Sequence, residues 1–143
     1  MATKSEGLTR TNRRILELLK TNGRATYASI SAEVGLSAPA VKERILKLEE
    51  SGVITGYTAT IDEAALGYNI AAFVLVEVPG ERDRVFGRFV QTQDAIRECY
   101  HVLGDRAFVL LVHVRDMQEL EVLIKTCLKY GSTTTYVQMS RVK

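Results

Sequence analysis

Apolar residues recur at helical spacing through the first third of this chain and at strand spacing through most of its second half. In TRTNRRILELLKTNGR (9–24), Ile15, Leu18 and Leu19 share one side, which predicts a helix with Arg10, Arg13 and Arg14 near its start. In YASISAEVGLSAPAVKERILKLEESG (27–52), Ile30 and Val34 lie one turn apart, and Gly35 sits where the chain must turn sharply. Leu36 plugs the angle that follows. Ser37 is a suitable N-cap, Pro39 falls in the first turn of a new helix, and Val41, Ile45 and Leu48 continue its inner face. Lys42, Arg44 and Lys47 remain for the other sides, and Ser51-Gly52 ends the helix.

Beyond this the period changes. GVITGYTATID (52–62) is rich in β-branched residues and predicts a strand. NIAAFVLVEV (69–78) is a near-continuous apolar strand, stopped by Pro79-Gly80. ERDRVFGRFVQTQ (81–93) is amphipathic at helical spacing, and IRECYHVL (96–103) and RAFVLLVHV (106–114) are strands joined by a turn at Gly104-Asp105. DMQELEVLIKTCLKYG (116–131) is a capped helix, and STTTYVQMSRV (132–142) is a last β-branched strand. The order βαββαβ is the split-βαβ, ferredoxin-like arrangement, with two helices on one face of a four-stranded sheet. The expected fold is therefore α+β. A helix-turn-helix of winged-helix-like kind occupies 1–52, a linking strand and hinge 53–68, and the βαββαβ domain 69–143. No helix remains for the sheet's other face, where Phe73, Leu75 and several valines lie. An exposed apolar face of that extent meets a partner, most simply a second copy.

Composition narrows the class. With 143 residues, 46% hydrophobic and 25% charged, the chain reads as a soluble globular protein. No apolar run approaches a membrane span, and MATKSEG lacks a signal-peptide core, so a cytoplasmic protein with no membrane partner is expected. Cys99 and Cys127 have no paired-ligand spacing and read as reduced, buried thiols. Residues 1–52 carry nine Lys/Arg against six Asp/Glu, so the basic excess sits with the helix-turn-helix.

That motif makes double-stranded DNA the first partner to consider. The candidate contacts are Arg24, Ser37, Ala38, Pro39, Ala40, Lys42, Glu43, Arg44 and Lys47. An ordinary helical hairpin would use the same turn and cap, and Lys42, Arg44 and Lys47 would then solvate a surface or pair with Glu43, Glu49 and Glu50. The end formed by Ser37 to Ala40 is small and weakly polar, which favours shape readout over base contacts. The excess charge is modest, so tight binding needs several copies on one duplex. No phosphate-binding glycine loop, HExxH or Cys/His cluster is present. No catalytic residue, metal site or cofactor is expected, and the protein reads as no enzyme. His101 and His113 are unaccompanied and read as structural.

Over nearly its whole length the chain resembles the Lrp/AsnC family of feast/famine transcription regulators. The matching residues are Leu8, Ile15-Leu16, Gly23-Arg24, Val34 to Ser37, Val41, Arg44, Leu48-Glu49, GVITGY at 52–57, Leu66-Gly67, Glu98-Cys99 and Gly104-Asp105. The resemblance implies DNA binding by the N-terminal domain and dimers built through the βαββαβ domains, often assembled into octamers. It also implies a small effector, commonly an amino acid, bound between dimers near Gly104 and Asp105, with His101 and Arg106 at the edge. Three departures stand out. Thr9 and Asn12 occupy positions that are often aspartate. The loop reads GDRA, with Ala107 in place of a second acid, so Arg106 would favour a carboxylate or phosphate. The turn after the last helix is shortened to KYGSTTTYV. The expected function is a sequence-specific, oligomeric transcription regulator. The alternative is an architectural protein that wraps or bridges DNA without an effector.

Overall fold

The structure, a computed structural model, describes residues 8–105 and 107–142. It divides into two compact units, Met1–Thr60 and Ile61–Lys143, so the connecting piece expected at 53–68 is shared between them.

In the first unit every helix opens on a hydroxyl cap. Helix α1 (Arg10–Thr21) starts at Thr9, whose Oγ1 accepts from the Asn12 amide, and α2 (Tyr27–Val34) starts at Thr26, which accepts from Ser29. Helix α3 (Ala38–Glu50) starts at Ser37, which accepts from Ala40. Gly35 between α2 and α3 has φ 69°, a left-handed conformation that glycine adopts without a Cβ penalty. Ile15, Ile30, Val41 and Ile45 are fully buried and bring one side of each helix together, with Leu18, Leu36 and Ile54 packed around them. Each such side chain contributes about 1.5–3 kcal/mol, so this core is small.

The strand expected from Val53 onward is not formed. Residues 55–62 are exposed and belong to no helix or strand. Their β-branched side chains suit extended backbone, but a strand also needs a neighbour to hydrogen-bond, and no described segment of this chain lies alongside. Tyr57 is held by its hydroxyl, which donates to Glu49 Oε1 at 2.8 Å. Burial and that carboxylate push its phenol up to about 12.

The second unit has the βαββαβ order. Strands β1 (Ile70–Glu77), β2 (Ile96–His101), β3 (Phe108–Val114) and β4 (Ser132–Val137) form one antiparallel sheet ordered β2-β3-β1-β4. Helices α4 (Asp83–Gln91) and α5 (Met117–Cys127) pack on one face. Alternation sends Ala72, Val74, Val76, Leu110 and Val112 beneath them, where Phe86 meets Phe108 at 4.9 Å and Tyr130 at 5.4 Å. The opposite face carries Phe73, Leu75, Tyr100, Val109, Leu111 and Tyr136, joined by the register pairs Phe73↔Leu111, Leu75↔Val109 and Phe73↔Tyr136, with no helix over it. Phe73 is 40% exposed and Tyr136 59%.

Two details depart from expectation. Cys127 is buried, with its thiol pushed up to about 11 by desolvation, but Cys99 is exposed because β2 is an edge strand with no neighbour beyond it. Strand β2 also carries a register shift between Ile96 and Glu98, leaving Arg97 as the extra residue. The shift aims Arg97 at Glu63, in the 3-10 turn Ala64–Leu66 and its flank, through bonds of 2.8 and 3.1 Å. Glu63 is thereby held below the usual carboxylate range.

The shortened turn before β4 works only with glycine. A Cβ on Gly131 would lie 1.8 Å from the Glu77 carbonyl oxygen, in backbone that cannot move without breaking the β1–β4 ladder. Gly131→Ala is therefore expected to lower stability by about 1–3 kcal/mol in urea unfolding. Gly56→Ala, whose Cβ meets open space, should not. Equal stability of the two variants would contradict this packing.

Candidate nucleic-acid interface and ligand loop

Helix α3 is the element in the position of a recognition helix. Ser37 and Pro39 are exposed at its N-terminal end, while Ala38 and Ala40 are half-buried there. The side chains of that end offer one hydroxyl, whose oxygen accepts from the Ala40 amide. Three of the charged candidates are engaged within the unit. Lys47 Nζ lies 2.7 Å from Glu43 Oε1, which keeps Glu43 below the usual carboxylate range. Arg44 donates through Nη1 to Asn12 Oδ1 at 2.9 Å, a half-buried bond from α3 to α1. Lys42 is exposed and makes no hydrogen bond or ion pair with the described residues. Arg24 is exposed in the turn between α1 and α2, where its backbone amide donates to Asn22 Oδ1.

The basic start of α1 is partly neutralised as well. Arg14 lies 3.4 Å from both Glu17 and Glu33, the latter on α2. All five of these side chains are half or more exposed, so such pairs add little stability and exchange readily for a phosphate. The Arg44–Asn12 bond is different, because it ties two helices together from the less exposed side. Sequence spacing gave no sign of it: the partners are 32 residues apart, and neither is a charge opposite a charge.

The second candidate region is the hairpin loop between β2 and β3, closed by a bond from the Val102 amide to the Ala107 carbonyl at 2.7 Å. Gly104 and Asp105 are exposed within it, and a Cβ on Gly104 would meet open space. Arg106 lies outside the described residues. His101, at the end of β2, stacks on Phe108 at 4.6 Å with Nε2 3.7 Å from Asp83 Oδ2, an ion pair only when the imidazole is protonated. The other Asp83 oxygen is buried without a hydrogen-bond partner. No cluster of three or more His, Cys, Asp or Glu among the described residues could hold a metal ion. No helix among them is long and apolar enough to cross a membrane.

Comparison with known proteins matches both units. Residues 8–55 fit a winged helix-turn-helix DNA-binding family, and residues 71–143 fit the Lrp/AsnC ligand binding domain. The HTH-type transcriptional regulator LrpB of Bacillus subtilis is 32% identical over 129 residues, covering 90% of this chain and 87% of that protein. The solved structure of LrpC from B. subtilis superposes with a TM-score of 0.89 at 28% identity, covering 95% of this chain and 97% of that one. A feast or famine regulatory protein from M. tuberculosis, solved in complex with L-methionine, superposes with a TM-score of 0.84 at 29% identity, covering 93% of this chain and 92% of that one.

The Arg44–Asn12 bond makes a prediction about stability. Asn12→Ala, Arg44→Ala and the double variant, compared by urea unfolding, should show a coupling of about 1 kcal/mol. Strict additivity would mean that the two side chains do not cooperate.

Proposed function

Because this chain belongs to the Lrp/AsnC family of DNA-binding transcriptional regulators, we propose that it binds duplex DNA as an oligomer through α3 and answers to a small effector at the Gly104-Asp105 loop. It acts in the cytoplasm and by binding rather than by catalysis; its named relatives are regulators. The observation that carries the reading is the pairing, in one chain, of a capped recognition-type helix with a sheet that has an uncovered apolar face.

The proposed DNA surface runs from Ser37 through Ala40 to Lys42, flanked by Arg24 and by Glu43, Arg44 and Lys47. Lys42 and Arg24 supply charge without breaking an internal pair. Lys47 contributes after exchanging Glu43 for a phosphate. Arg44 serves mainly to hold α3 on α1, and so sets the angle at which the N-terminal end of α3 is presented. One copy makes few phosphate contacts by this count, and affinity comes from several copies on one duplex.

Assembly follows from the sheet. Two copies laid face to face would cover Phe73, Leu75, Val109 and Leu111 on each, and would give the extended 55–62 segment a symmetry-related strand to pair with. Octamers then form from dimers. An amino-acid effector is supported by the L-methionine complex of the M. tuberculosis relative. With Ala107 in the loop, Asp105 is the one acid left there to receive a ligand ammonium.

Two measurements test this reading. Sedimentation at micromolar protein should give a dimer or larger, and Leu111→Asp should shift it to monomer; a monomeric parent would remove the basis for cooperative binding. In DNA titrations across salt, Lys42→Ala should weaken all sequences alike and lower the salt slope by about one unit per domain. An unchanged slope would take Lys42 out of the interface.

A further inference from the structure

One feature unexplained by these sites is an open cavity of about 520 Å³ in the second unit. It lies between the start of α5, the end of β3 and the 93–95 turn, with Tyr68 as one wall. Arg115 follows the C-terminal end of β3, whereas the 102–107 loop precedes its N-terminal end. The seven residues of β3 put the two about 20 Å apart.

Three properties of the lining define what it would hold. Ala95, Val122 and Leu123 give it an apolar floor. The Asp94 carboxylate makes no hydrogen bond or ion pair with the described residues. Arg115 stacks over Tyr68 at 5.0 Å and is steadied by Glu119 Oε1 at 2.9 Å. That bond uses part of a fork with five N–H donors. An unspent carboxylate, a pre-oriented guanidinium with donors to spare and a methyl-lined floor are the complement of an ammonium, a carboxylate and an apolar side chain. The volume lies within the range of small-molecule sites. We infer that this cavity is a second ligand site, taking an α-amino acid with an apolar side chain: ammonium to Asp94, carboxylate to Arg115, side chain on Val122 and Leu123.

The site has a built-in connection to the segment before β1. Tyr68, its wall, also lies 4.6 Å from the Arg97 guanidinium that grips Glu63. A ligand carboxylate on Arg115 would compete with Tyr68 for that cation, in the stretch of chain that leads back toward the DNA-binding unit.

Calorimetric titration of the full chain with L-leucine, L-methionine and L-phenylalanine tests the inference independently of the hairpin loop. The Gly104→Trp variant, with the loop obstructed, should still bind at least one of the three at one site per chain. Val122→Arg, at a position 65% exposed and therefore compatible with folding, should weaken that binding about tenfold or more, and Asp94→Asn should do the same. The inference is overturned if Gly104→Trp binds none of the three, or if its binding is indifferent to both cavity substitutions. Loss on Gly104→Trp alone leaves the loop reading intact; loss on the cavity variants alone removes the loop as the site and keeps the cavity.

Discussion

A four-stranded sheet has two apolar faces when its strands alternate as these do, and this chain owns helices for one. α4 and α5 bury Ala72, Val74, Val76, Leu110 and Val112, while on the other face Phe73 is exposed and Leu75, Val109 and Leu111 are half-buried. Removing such a surface from water is worth about 25 cal/mol per Å², which no side chain within the unit can recover. The uncovered face thus asks for a second copy. In the proposed dimer, a twofold pairing of sheets would fix where two DNA-binding units attach and would offer the unpaired 55–62 segment a neighbour.

The electrostatics of the first unit point the same way. Three of its basic residues are engaged at home: Arg14 with Glu17 and Glu33, Lys47 with Glu43, Arg44 with Asn12. With nine Lys/Arg against six Asp/Glu in residues 1–52, a single copy offers a polyanion only a modest excess of charge. Regulation by assembly suits such a module, since each added copy multiplies weak contacts, and a ligand that alters assembly alters occupancy without touching the reading helix.

Much of this was legible in the sequence because it rests on local rules. Ser37 and Gly35 mark the ends of helices by chemistry that acts within four residues, and the alternation along β1 and β3 follows from the pleat. What the pattern concealed was relational. Arg44 reads as a surface cation until α1 brings Asn12 beside it. Cys99 reads as buried until the strand order puts β2 at the edge. The β-branched run from Val53 reads as a strand, which it is not, because no described segment of this chain pairs with it. Arg97 sits in a plain strand pattern, and only the register shift turns it toward Glu63. At the loop, Gly104 and Asp105 were visible as a turn, and the ligand role proposed for them rests on the family likeness rather than on any bond within the chain.

The central claim is that twofold-paired sheets carry two reading helices to one duplex. Hydroxyl-radical footprinting of the intact protein on a bound DNA fragment tests it most directly. The account predicts protected patches on one face of the duplex, repeating at about 10–10.5 base pairs, the spacing of successive turns met by paired domains. A single isolated patch, unchanged as protein concentration rises, would contradict it.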